Sequence, residues 1–171
     1  MTEAELREKL SNEVFSSFGF LSLAFLPDLP MNPTRLAVSF SPAKLSWETV
    51  VGAVANLNNI PPEFRATVEQ EIFRFYLQEI EDGSADFESA QAQLDYEREQ
   101  GGPFSNPVAA VSPADVWPLV KFEKLLVTTG ISGEVIMRVE GKAAWDGEHG
   151  IVLTFSGKGA LKFVSGWGRW A

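Results

Sequence analysis

Residues 134–164, which read EVIMRVEGKAAWDGEHGIVLTFSGKGALKFV, decide the fold that the sequence predicts. From Glu134 onward, apolar and charged residues tend to alternate. One parity is apolar: Val135, Met137, Val139, Ala143 and Trp145. The other parity is charged: Glu134, Arg138, Glu140 and Lys142. Because successive side chains of a β-strand point to opposite faces of a sheet, this pattern predicts a strand with one buried face and one face in water.

Turn signals divide this part of the chain into four strands. Turns are predicted at Gly130–Gly133, at the hexapeptide Trp145-Asp146-Gly147-Glu148-His149-Gly150 and at Ser156-Gly157-Lys158-Gly159. Asp-Gly is a preferred pair in tight hairpin turns, and glycine reaches positive φ without steric cost. Strands are therefore expected near 125–129, 134–145, 151–155 and 161–163, and such short connections produce an antiparallel meander.

Two amphipathic helices are predicted upstream, over 43–58 and 62–81, and we expect them to cover one face of the sheet. Apolar residues recur about one helical turn apart in both segments: Trp47, Val50, Val51, Val54 and Leu57 in the first, then Phe64, Val68, Ile72, Phe75 or Tyr76, and Ile80 in the second. Asn58-Asn59 is expected to end the first helix, since Asn tolerates the left-handed conformation. Pro61-Pro62 is expected to begin the second, because the first turn needs no amide donor.

The remaining segments predict shorter elements. These are a helix at Glu3–Leu10, strands at Phe15–Leu26 and Arg35–Phe40, and a short helix from Ser112 to about Pro118. Residues 84–100 fit a weak helix, an ordered loop or partial disorder. Together the patterns predict one α+β domain over residues 1–171. In it, a mostly antiparallel sheet of about five or six strands, N-terminal strands plus the C-terminal meander, packs against two main helices.

Charge and cysteine usage narrow the class of protein. The formal net charge is −9, which repels phosphate backbones, so we expect no nucleic-acid partner. The sequence contains no Cys, which excludes disulfides and thiolate metal sites and is compatible with a reducing cytosol. The acidic start is unlike a secretory signal, and the apolar stretch Phe18–Leu26 is far shorter than the roughly 20 residues of a membrane helix. We therefore expect a soluble, cytoplasmic protein without membrane contact.

Asp146, Glu148 and His149 are the one cluster with acid, base and ligand capacity, and His149 is the only His in the sequence. One interpretation is a metal site or an acid/base pair. The other is a solvated hairpin loop, favoured because three near-adjacent residues seldom converge on one ion without ligands from elsewhere. No phosphate-binding loop, nucleophile motif or second base accompanies them. The sequence thus assigns no catalytic, cofactor-binding or metal residue, and it predicts no cofactor.

An interaction surface is the other candidate. Its residues are acids of the middle segment and aromatic residues of the tail: Glu79, Glu81, Asp82, Asp86, Glu88, Trp167 and Trp170. Acidic runs can attract basic protein partners, although they are commonly just solvated. Tryptophan is enriched at binding hot spots but is highly buried on average, so core packing is the alternative. A tail that mediates self-association is a further interpretation, and the oligomeric state is left open.

Three motifs carry a resemblance to a family of uncharacterised bacterial proteins. They are Phe73-Arg74-Phe75-Tyr76, Ser112-Pro113-Ala114-Asp115 and the hexapeptide at 145–150, within a likeness that spans about 39–164. The resemblance implies an α+β fold and a bacterial cytosolic protein, and it brings no established activity or cofactor. Some small acidic domains of this kind look similar to the immunity proteins that accompany bacterial toxins, an analogy of fold and charge alone.

The sequence therefore favours a non-enzymatic protein-interaction module with an acidic surface, and an immunity-like role is one form that such a module takes. The alternative is a small hydrolase or metal-dependent enzyme that uses Asp146, Glu148 and His149.

Overall fold

Residues 20–27, 36–40, 45–83 and 85–167 are described by the computed structural model. Within these ranges the helices are α1 (Trp47–Asn58), α2 (Arg65–Gly83) and α3 (Ala90–Glu99), with 3-10 helices at Pro62–Phe64 and Pro113–Leu119. The strands are β1 (Phe20–Leu21), β2 (Leu36–Phe40), β3 (Val120–Thr129), β4 (Val135–Ala143), β5 (Asp146–Ser156) and β6 (Leu161–Ser165). The predicted helix at Glu3–Leu10 lies outside the described residues.

The six strands form one sheet in chain order, from β1 to β6. Every neighbouring pair is antiparallel except β2 and β3, which run parallel, with Ala37 opposite Lys124. The sequence predicts the meander of β3 to β6 correctly, and the α+β class with a mostly antiparallel sheet is confirmed. It does not predict the parallel pair, because that pairing joins segments with three α-helices between them.

One face of the sheet is buried against α1 and α2, as the alternation predicts. The core-facing residues of the central strands are fully covered: Leu125, Val127, Met137, Val139, Ile151, Leu153 and Phe155. The helices contribute their predicted apolar stripes, with Val50, Val54, Leu57, Val68 and Ile72 all inaccessible to solvent. Hydrophobic burial of these two complementary surfaces is therefore what holds the helical layer on the sheet.

The bounds of α1 differ from the prediction. Ser46 is its N-cap, and the Ser46 hydroxyl accepts the amide of Thr49 at 3.2 Å. Asn59 ends the helix with φ −85°, so the predicted left-handed conformation of the Asn pair is wrong. The Asn59 amide instead donates to the carbonyl of Ala55 at 3.0 Å, which closes the last turn in right-handed geometry.

The predicted strand at Phe15–Leu26 is wrong over most of its described part, residues 20–26. Only Phe20–Leu21 pairs as a strand, and the chain then turns, with the amide of Leu26 donating to the carbonyl of Leu23 at 3.1 Å. The turn buries Phe25 and Leu26 together. Arg65 stabilises the turn by donating to the carbonyls of Phe25 and Leu26.

Residues 84–100, for which the sequence leaves a weak helix, a loop and partial disorder as alternatives, contain the helix α3. Ser89 caps its N-terminus and accepts the amide of Ala92 at 3.2 Å. Leu94 is fully buried and anchors the helix in the core. The short 3-10 helix that precedes β3 begins with the predicted cap, since Ser112 and Asp115 form a reciprocal capping box.

Glycine conformations at the β4–β5 hairpin generate a stability prediction. Gly150 has φ 56°, and a Cβ atom there would collide with the carbonyl oxygen of Gly141. Gly150→Ala should lower the free energy of unfolding by about 1–2 kcal/mol from the left-handed backbone alone, with the collision adding to that. Gly52→Ala is the matched control, because Gly52 is an interior residue of α1 with open space around the Cβ position. This control should raise stability by about 0.5–1 kcal/mol.

Urea denaturation of the two variants and the parent chain measures both changes. Equal effects at the two positions would contradict the assigned backbone conformations.

Candidate functional site

The β4–β5 hairpin turns earlier than the sequence predicts. Ala143 pairs with Asp146, so Ala144 and Trp145 form the turn. Gly147 does not have a positive φ, and the expected Asp-Gly turn is therefore wrong. The reason is packing: Trp145 is buried among side chains of the helical layer, and this draws the chain reversal to the point where the indole enters the core.

Residues 147–150 form a wide bulge in β5. Opposite them β4 places Lys142 alone, because the next pair is Gly141 with Ile151. The left-handed conformation of Gly150 returns the chain to the regular ladder. Bulges change the direction in which side chains point, so the bulge positions the residues that the sequence singles out.

The carboxylate of Asp146 organises the bulge. Its Oδ1 atom accepts the backbone amides of Glu148 at 3.1 Å and His149 at 2.8 Å. Its Oδ2 atom also lies 3.2 Å from Nδ1 of His149. An Asp side chain that accepts amides two and three residues ahead is a common turn-forming arrangement, so this geometry has a complete structural explanation.

The three candidate residues are only partly brought together. Asp146 and His149 are in contact, while Glu148 makes no hydrogen bond through its side chain to either of them. The side chain of His149 is 49% exposed and that of Asp146 is 18% exposed. Within the described ranges, no group of three His, Cys, Asp or Glu residues has the geometry to hold a metal ion. The arrangement supplies an ion pair or hydrogen bond at the surface and no converging ligand set.

A polar cleft of about 420 Å³ lies between the hairpin and the C-terminal end of α3. Its lining residues are Tyr96, Glu97, Gln100, Gly101, Gly102, Pro103, Lys142, Gly147 and Glu148. Glu97 accepts the amide of Gly147 at 3.0 Å, so α3 holds the bulge directly. Glu148 reaches this cleft, whereas His149 and Asp146 are not among its lining residues.

Sequence reasoning misses the α3 residues that fix the hairpin. Gln93 is buried and donates to the carbonyl of Trp145 at 2.9 Å, and Glu97 holds Gly147 from the next turn of the same helix. The four-residue spacing of Gln93 and Glu97 places both on one helix face, which is a signal that the sequence does contain. Their partners lie about 50 residues away, so the sequence gives no means of pairing them.

The acidic surface consists of Glu81, Asp82, Asp86 and Glu88, at the end of α2 and in the connection to α3. All four are exposed, and none of them forms an ion pair with another described residue. Glu79 is predicted to belong to this surface but is buried, so it adds little to it.

Several charges elsewhere in the described residues are paired. On the strands, Lys121 pairs with Glu123 at 3.1 Å, and Lys124 and Arg138 both approach Glu140. In α3, Arg98 pairs with Asp95 at 3.3 Å. The acidic surface is therefore a local excess of negative charge that the structure does not neutralise.

The tryptophans divide into core and surface. Trp117 is buried, and its Nε1 atom donates to Oε1 of Glu69 at 2.6 Å. Trp167 is 41% exposed, and its amide donates to the carbonyl of His149. Trp170 lies outside the described residues, so the aromatic part of the predicted interaction surface reduces to Trp167.

These features define an α+β protein with a buried, helix-anchored hairpin and a separate acidic surface. The chain belongs to a family described as a domain of unknown function (DUF6985), whose model matches residues 28–167. Comparison with curated proteins and with solved structures gives no match. In the part of the chain that the structure describes, no helix has the length and apolarity to cross a membrane.

The role of Asp146 in the bulge is testable. Asp146→Ala removes the acceptor of two backbone amides, and we expect the free energy of unfolding to fall by about 1.5–3 kcal/mol, the range for hydrogen bonds to charged groups. Glu148→Ala is the control at an exposed position, with an expected change within about 0.5 kcal/mol. Urea denaturation gives the energies, and amide exchange at residues 148 and 149 should accelerate in the first variant alone. Equal stability of the two variants would contradict this role.

Proposed function

We propose that this protein is a non-enzymatic interaction module that binds a basic protein partner through its acidic surface. The observation that carries the proposal is the run of four exposed carboxylates, Glu81, Asp82, Asp86 and Glu88, which lie within eight residues and form no ion pair with another described residue. Clustered charge of one sign steers and orients a partner of the opposite sign. Its local excess makes this surface the most suitable docking position.

The proposal extends to a bacterial, cytoplasmic setting. A chain without Cys suits a reducing compartment, since it has no need of disulfides. An immunity-like role, in which an acidic domain neutralises a basic toxin by covering it, is one relationship that the acidic surface fits. A toxin encoded beside this chain would support that relationship.

Charge reversal tests the proposal. Asp86→Lys combined with Glu88→Lys should weaken binding of a basic partner by about tenfold or more, because two favourable charge interactions become repulsive. Glu48→Lys combined with Glu63→Lys changes the net charge equally at two other exposed positions and should have a much smaller effect. The partner is first identified by affinity purification from the source cells, and calorimetry then measures affinity at several salt concentrations.

Binding should also weaken as salt rises, because exposed charges are screened. Equal losses in the two double variants would indicate attraction by net charge alone and would contradict a specific surface.

An enzyme that uses Asp146, Glu148 and His149 is the second candidate. The contact between Asp146 and His149, and the polar cleft that Glu148 lines, favour it. Two observations oppose it: the carboxylate of Asp146 is already engaged by two amides, and His149 does not line the cleft. We therefore rank it second.

His149→Ala separates the candidates, because every imidazole reaction of this chain must use that residue. Under the interaction proposal, His149→Ala should leave partner affinity unchanged within about twofold, since the residue lies outside the acidic surface. A hydrolytic activity on a substrate panel that the parent chain shows and His149→Ala abolishes would overturn the ranking.

A further inference from the structure

Two exposed valines stand out on the surface between α3 and β3. Val108 is 73% exposed and Val111 is 86% exposed. Large apolar side chains exposed singly are ordinary, whereas here two of them lie within four residues of one segment. Ile131 is the comparable exposed residue elsewhere, at 93%, and it lies alone in the β3–β4 turn.

The backbone that carries these valines is fixed by side chains of the neighbouring helices. Gln91 of α3 donates from Nε2 to the carbonyl of Pro107 at 3.0 Å, and its Oε1 atom accepts the amide of Ala109 at 3.1 Å. The side-chain amide of Gln91 thus forms hydrogen bonds with the backbone of the residues before and after Val108. The exposure of Val108 is consequently not the result of a loosely held loop.

Asp115 fixes the other end of the same segment. Its Oδ2 atom accepts the amides of Val111 at 3.2 Å and Ser112 at 2.8 Å. Pro107 and Ala110 of the same segment are buried, while the two valines are exposed. We call residues 107–111 the valine segment.

A pre-formed apolar segment loses little freedom on binding. Valine has a restricted χ1 angle, and the backbone is already ordered by Gln91 and Asp115. Ordering costs are a main term that opposes association, so a segment held in this way is well suited to docking.

Carboxylates flank the valine segment at both ends. Asp95 accepts from Nε2 of Gln91 at 3.2 Å, which places it beside Pro107. Asp115 adjoins Val111, and hydrogen bonding by the Ser112 hydroxyl lowers its pKa, which keeps it charged near neutral pH. Asp95 is paired with Arg98, whereas Asp115 forms no ion pair with another described residue. The complement of this surface is an apolar side chain next to Lys or Arg.

We propose that the valine segment, together with Asp95 and Asp115, is a docking surface for a protein segment in which apolar side chains alternate with Lys or Arg. This inference rests on the proposed function and names a chemistry for its partner. The acidic surface supplies long-range attraction, and the valine segment supplies the short-range contact that excludes water. A purely polar basic ligand satisfies the first requirement and not the second.

Synthetic peptides distinguish the long-range charge attraction from the short-range apolar contact. The probes are acetylated and amidated pentapeptides that read Lys-Leu-Lys-Leu-Lys, Lys-Ser-Lys-Ser-Lys and Glu-Leu-Glu-Leu-Glu. Backbone amide shifts of the ¹⁵N-labelled full chain report position and affinity. The Lys-Leu peptide should perturb residues 107–112 and the Gln91 side chain in a saturable manner. The Lys-Ser peptide should bind about tenfold more weakly, because it lacks apolar area to bury, and the Glu-Leu peptide should not bind.

Paired variants locate the contact. Val108→Ser combined with Val111→Ser should lower the affinity for the Lys-Leu peptide by about tenfold. Ile131→Ser replaces an isolated exposed apolar residue by Ser and should not alter that affinity. Thermal unfolding should be unchanged in both, because all three side chains are exposed.

Perturbations confined to 81–88 with equal affinity for the Lys-Leu and Lys-Ser peptides would overturn this inference and leave the proposed function intact. Absence of binding by both Lys peptides, together with a basic partner insensitive to Asp86→Lys and Glu88→Lys, would defeat both. Sedimentation that shows a dimer lost in the double valine variant would identify a second copy as the occupant and would also overturn the inference.

Discussion

Burial of Trp145 at the tip of the β4–β5 hairpin is the constraint on which the rest of the structure depends. Its indole packs edge-on against Tyr76, with ring centroids 5.2 Å apart, and against Phe75 at 6.3 Å. The backbone carbonyl of the same residue accepts the amide group of Gln93. A hairpin tip is ordinarily the most solvated part of a sheet, and here it joins two helices to the meander. Aromatic packing and the hydrogen bond to the Trp145 carbonyl hold it there, while the buried indole Nε1 atom has no hydrogen-bond partner among the described residues.

Much of the fold could be predicted because its signals are local. Alternation in β4, the helical spacing in α1 and α2, and the glycine turns each occupy a few neighbouring residues, and hydrophobic burial enforces them. Predictions fail where a distant contact decides the conformation. The turn at Ala144 and Trp145 lies where packing on α2 draws it, and the reversal after Leu21 exists because Arg65 binds the carbonyls of that turn.

The candidate site shows the same division. The sequence identifies Asp146, Glu148 and His149 as a cluster, and two of the three touch. The sequence does not predict the hydrogen bond between Glu97 and Gly147, or those that Gln91 makes with the backbone of residues 107–109. Both sets of hydrogen bonds join segments that share no periodicity. The exposure of each acidic residue is equally hard to predict from the sequence. Glu79 and Glu81 are the same residue type two positions apart, yet Glu79 is buried and Glu81 is exposed on α2.

The parallel pairing of β2 with β3 has a consequence for how the chain reaches this structure. Ala37 finds its partner at Lys124, after α1, α2 and α3 have been made, whereas β3 to β6 pair with immediate neighbours. Closing a long connection carries an entropic cost that short hairpins avoid. During synthesis β2 therefore emerges well before the strand that receives it, and its parallel partner is absent until the first strand of the meander has been made. β2 can therefore complete its place in the sheet only once β3 has been synthesised, even though β2 is translated first.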